Sequence, residues 1–147
     1  MYNNMIEPYR KLTIGILISS LCILIGAGHG VAPMILFEVM IPFHHNYPLL
    51  FTLQRDYEFN LAASAIFLLV GQILLFFTTV KRALIARLFS LFILWVGFFY
   101  LIHGVFSGDG LAMFSFCTGI PFLWMSVQLF IYDVRQYLYK PVEDEEE

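Results

Sequence analysis

Residues 12–37 read LTIGILISSLCILIGAGHGVAPMILF, twenty-six residues without a formal charge. A helix needs about 20 apolar residues to cross roughly 30 Å of hydrocarbon, so this stretch is long enough to span a bilayer. Within it Gly15, Ser19, Cys22, Gly26 and His29 recur at steps of four, three, four and three. That spacing puts them on one side of a helix. Small residues in such a row let a neighbouring backbone approach closely, and Gly26-x-x-x-Gly30 adds to this. The row predicts that His29 faces other helices and not lipid. Pro33 lacks a backbone donor and disfavours helix at Ala32, so a kink or a stop is expected there.

Three more uncharged runs follow, at 59–80, 88–108 and 110–132. Inside a bilayer no water satisfies backbone N–H and C=O groups, so runs of this length should be helices. None shows the period-2 alternation of a membrane barrel. The chain is 60% hydrophobic and 13% charged, too little polar surface to clothe a soluble domain of 147 residues. The expected fold is all-α: one domain, 1–147, an integral membrane four-helix bundle running up-down-up-down. Its spans are expected near 12–32, 59–80, 88–106 and 111–132, with an outer loop at 38–58 and an acidic tail at 141–147.

Orientation follows from the basic residues. Arg10, Lys11, Lys81, Arg82, Arg87, Arg135 and Lys140 fall on one side of this bundle, and of the eight Lys and Arg only Arg55 falls on the other. Cytoplasmic loops carry the excess of Lys and Arg, which predicts a cytoplasmic inner membrane with both termini inside. The histidines, Glu38 and Asp109 then lie toward the outer side. The net charge of −3 is set by Glu143-Asp144-Glu145-Glu146-Glu147, so it says little about partners. No basic, aromatic-interleaved surface points to nucleic acid. Cys22 and Cys117 fall at different depths, which argues against a disulfide.

Ala65, Gln72 and Thr79 share a face of the second span. Gln72 falls near mid-bilayer, where an amide aimed at lipid costs free energy. It is expected to bond across to another helix, or else to meet a ligand. The third span carries Phe89, Phe92, Trp95, Phe98, Phe99 and Tyr100, a pattern of packing or lipid contact. In the fourth, Gly119 and Pro121 should bend the helix.

The histidines carry the sharpest functional lead. His29 lies eighteen residues past Lys11, and His103 lies sixteen past Arg87. At 1.5 Å per residue both sit roughly 25 Å from the inner boundary, on spans pointing the same way. First and third helices are diagonal in such a bundle. Two histidines level with one another can hold a b-type haem from both faces, with Gly28, Gly30 and Gly104 leaving room for the macrocycle. A metal site would instead combine these two with His44, His45, Glu38 or Asp109, although adjacent His44 and His45 diverge on a helix. A proton-sensing role follows from a side chain that titrates near neutrality. A histidine near a helix end also simply meets water, head groups or a carbonyl. No nucleophile–base motif, phosphate-binding glycine loop or Cys-x-x-Cys appears.

The layout resembles the DoxX-like family of small four-helix membrane proteins. The likeness lies in Arg10-Lys11-Leu12-Thr13-Ile14-Gly15 opening the first span, Gly71 in the second, and Lys81-Arg82-Ala83-Leu84 leading into the third. It implies a membrane component linked to redox or quinone pathways, and it transfers no residue roles. His29 and Pro33 depart from it. The leading expectation is a non-catalytic accessory protein embedded in the lipid bilayer, forming a homo-oligomer or a complex with other membrane proteins. Its packing face is Gly15, Ser19, Cys22, Gly26 and Gln72. The alternative is an electron-transfer subunit with haem between His29 and His103.

Overall fold

A computed structural model of the chain describes residues 6–27, 30–40, 57–81 and 83–138. The elements are α1 (Ile6–Leu21), β1 (Leu24–Ala27), β2 (Gly30–Pro33), α2 (Met34–Met40), α3 (Tyr57–Lys81), α4 (Leu84–Ile102) and α5 (Gly110–Leu138), with a 3-10 turn at His103–Ser107 between the last two. The protein is mostly helical, and three stretches are long and apolar enough to cross a membrane: Asn60–Thr79, Leu84–Ser107 and Gly110–Leu138.

The first uncharged stretch departs from expectation. It is not one helix over 12–32: α1 stops at Leu21, and an antiparallel hairpin follows with Leu24 opposite Pro33 and Ala27 opposite Gly30. The cause is local. Gly26, Gly28 and Gly30 are weak helix formers that favour turns, and Pro33 cannot continue a helical ladder. The hairpin answers its own backbone groups, and its base is closed by Met34 N–H donating to Ile23 O at 2.8 Å. Irregular backbone at membrane depth is tolerated where protein buries it. Ile23 and Ile25 are fully buried, and β1 lies along α5. Thr118 of α5 accepts from Leu24 N–H at 3.2 Å.

The expected row of small residues is cut by this break. Only Gly15 and Ser19 lie on α1, whose buried residues among those described are Thr13, Ile16 and Ser20. Cys22 is exposed. Gly15 is packed against Met125, where a Cβ would lie 2.6 Å from the sulfur, and Gly26 is packed against Leu111 of α5. Both glycines therefore do bring backbone close to α5, but on two different kinds of element.

α3 and α4 form the closest pair. Gly71 admits Leu94, and Gly97 admits Phe67 and Leu68. α5 joins them through Phe98 and Phe122, whose ring centroids are 5.4 Å apart, and through Trp95 Nε1 donating to Ser126 Oγ at 2.9 Å. Gly119 lies directly under the Phe98 ring. The aromatic run of the third span thus divides: Phe98 is buried, while Phe89, Phe92 and Phe99 are exposed. Gly108, at φ 79°, ends the 3-10 turn in the left-handed conformation that glycine adopts freely.

Candidate functional site

Two polar centres lie buried in the bundle. One is ionic and joins α4, α5 and α1 at the end expected to be cytoplasmic. Arg87, in the first turns of α4, grips Asp133 of α5 through Nε–H to Oδ2 at 2.7 Å and Nη2–H to Oδ1 at 2.6 Å. This fork matches the planar guanidinium to both carboxylate oxygens. The Asp133 side chain is fully buried. Tyr9 of α1 covers the guanidinium, with the carbon of Arg87 4.7 Å from its ring centroid, and donates from its hydroxyl to Gln136 Oε1. Burial, and then the negative charge of Asp133, push the Tyr9 phenol up to about 12, so it remains a donor. The geometry locks three helices together.

The other centre is made by α2. Glu38 is buried, with 2% of its surface exposed. Its Oε1 accepts from Gln72 Nε2 of α3 at 3.0 Å, and the same amide nitrogen donates to Ser20 Oγ of α1 at 3.1 Å. Ser20 donates in turn to Leu17 O at 2.9 Å. The expectation that Gln72 bonds across to another helix holds. The expectation that Glu38 lies toward the outer side does not: Gln72 is the thirteenth residue of the Asn60–Thr79 span, and Glu38 stands beside it. The hairpin turns the chain back on itself, so α2 carries its carboxyl into the interior. Arg87 and Asp133, by contrast, are paired charge to charge.

A third contact fastens the hairpin from the side. The hydroxyls of Tyr57 (α3) and Ser115 (α5) share a hydrogen bond of 2.7 Å, and the Gly26 backbone bonds the same phenol.

The other residues singled out by the sequence are dispersed. Asp109 caps α5, its Oδ1 accepting from Leu111 N–H at 2.8 Å. His103 opens the 3-10 turn and lines a shallow apolar hollow with Val96, Phe99 and Phe106; its Nδ1 is buried without a partner among the described residues. The room expected beside Gly104 is taken, since a Cβ there would lie 3.0 Å from Asp109 Cβ and 3.1 Å from Ala112 Cβ. A macrocycle has no space on that flank. His29, His44, His45, most of the 38–58 loop and the 141–147 tail lie outside the described residues. Among the described residues, no three His, Cys, Asp or Glu side chains converge as a metal site would require.

No family model, curated protein or solved structure matches the chain. The likeness to DoxX-like proteins is one of layout.

Sequence reasoning missed the Glu38 site because it placed Glu38 at the start of an outer loop, 38–58. The signal was present in the length of the uncharged run. Twenty-six residues exceed one span, and Gly-rich spacing followed by Pro33 marks a turn inside it.

Proposed function

We propose that this chain is a small four-pass component of the cytoplasmic membrane, with both termini inside, that acts by forming a complex rather than by catalysis. The seven-to-one distribution of basic residues supports the orientation. In this reading α1 and the hairpin together make the first crossing.

One observation carries the complex. Cys117, Pro121, Trp124, Gln128 and Ile131 recur at steps of four, three, four and three along α5, and all are exposed. Gln128 is the polar member of this outward row. It precedes Asp133 by five residues, which at 1.5 Å each sets it about 7–8 Å deeper in the hydrocarbon than the ion pair. An amide facing acyl chains lacks partners. An amide both donates and accepts, so two copies of Gln128 satisfy each other across a two-fold axis. The partner we infer is a second copy of this chain, packed α5 against α5, with the axis along the membrane normal.

In that dimer Cys117 meets its own counterpart. Mild oxidation of a Cys22→Ser variant in membranes should give a covalent dimer, and Gln128→Leu should weaken it. Such a contact is worth about 0.6–2 kcal/mol in membranes, enough to change the dimer fraction severalfold. A chain that stays monomeric in mild detergent and shows no Cys117 crosslink would refute this reading.

The unpartnered Nδ1 of His103 favours a second reading, in which His103 with His29 holds a b-type haem. The crowded flank of Gly104 weighs against it. A Soret band in the purified protein, lost in His103→Ala, would support it; a colourless protein would end it.

A further inference from the structure

We infer that Glu38 is a proton-binding site at the centre of the membrane, neutral while α2 is seated in the bundle. Among the described residues the cluster around it has no cation to balance a carboxylate. On α1 the charged residues are Glu7, Arg10 and Lys11, the nearest nine residues from Ser20; on α3 they are Glu58 and Lys81, the nearest nine residues from Gln72. Nine residues of helix are about 13–14 Å. α2 and the described residues of the hairpin add no other charged side chain. Among the described residues, the polar groups bonded to Glu38 are the Gln72 amide and, through it, the Ser20 hydroxyl, and neither titrates.

The hydrogen bonds also decide which cation the site takes. The Gln72 nitrogen spends its two hydrogens on Glu38 Oε1 and Ser20 Oγ, and Ser20 spends its own on Leu17 O. Donors therefore point at Oε1 and at the serine oxygen. A metal ion needs several converging oxygens, and N–H groups aimed into the site repel it. A proton needs one oxygen, and Oε2 of Glu38 supplies it. α1 also ends here, at Leu21, and the negative end of a helix favours a positive charge or a bound proton beside it.

Losing the proton would leave a lone carboxylate in the interior. α2, at seven residues, is the shortest of the described α-helices, so it is the element whose displacement would carry Glu38 to water at the least cost in packing. Deprotonation to water is then coupled to unseating of α2. This inference is independent of the α5 dimer.

The test uses the full-length protein in native membranes. A lipid-soluble carbodiimide adds only to a protonated carboxylic acid, transferring that proton to its own nitrogen and forming an acylurea. Mass spectrometry should find the adduct on Glu38 near neutral pH, with labelling falling as pH rises and absent in Glu38→Gln. Infrared difference spectra should show a protonated carboxyl C=O band that shifts in D2O and is missing in Glu38→Gln. Should that variant fail to fold, the pH dependence of wild-type labelling still decides. An unlabelled Glu38 at every pH, or a spectrum with no protonated carboxyl, overturns the inference. Protection by sodium but not potassium also overturns it, in favour of a metal-cation site.

Discussion

Replacing Asp133 with Asn leaves the Arg87 guanidinium buried without its counter-charge. Of the two charge-assisted hydrogen bonds, at 2.7 and 2.6 Å, one is lost because the amide nitrogen cannot accept, and the other loses its anionic acceptor; each such bond is worth about 1.5–3 kcal/mol. Removing one partner of a buried pair costs about 3–5 kcal/mol. Arg87 keeps 10% of its side chain exposed and sits in the first turns of α4. Its long side chain can turn toward the interface and recover part of its hydration. The lower end follows, about 3 kcal/mol. The double variant Arg87→Met, Asp133→Leu removes both charges together and fills their volume, so it should recover at least half of the loss. The assay is a double-mutant cycle by SDS titration in mixed micelles, read from the fluorescence of Trp95 and Trp124. A loss under about 1 kcal/mol in Asp133→Asn would refute the claim that this pair locks the bundle. So would a double variant as unstable as the two single losses added.

Three further outcomes follow from the packing. Gln72→Leu removes the donor to Glu38 and should destabilise the bundle by about 1–3 kcal/mol, and adding Glu38→Met should restore part of it, measured by the same titration. Gly119→Ala drives a methyl into the Phe98 ring and should cost about 1–3 kcal/mol, whereas Gly110→Ala, with open space around it, should not destabilise α5. Thr118→Val removes the contact to Leu24 N–H, so hydrogen exchange at that amide should rise severalfold while the amides of α4 remain protected.

The reading of Gln72 shows how far periodicity reaches. Its position among apolar residues required an internal partner, and the structure supplies one. The reading of Glu38 shows where periodicity fails. Residues 34–40 carry no pattern that tells an interfacial helix from one folded inward, because the direction of α2 is set by the antiparallel pairing of β1 with β2 before it. The row from Gly15 to His29 fails for the same reason: helical spacing was extrapolated across residues that pair as strands. Arg87 and Asp133 were legible as charges at span ends but not as a pair. Forty-six residues separate them, and only the packing of α4 on α5 brings guanidinium and carboxylate into register.

By itself, the sequence determined a mostly helical protein with runs long and apolar enough to cross a membrane. Long uncharged runs leave backbone groups no partner in lipid except their own helix, and that constraint acts locally, residue by residue. Tertiary structure alone decided that the first run breaks into half a helix and a hairpin, and that a carboxyl is carried into the interior beside Gln72. Thr118, Tyr57 and the face of α5 receive the hairpin, and those groups lie dozens of residues away along the chain.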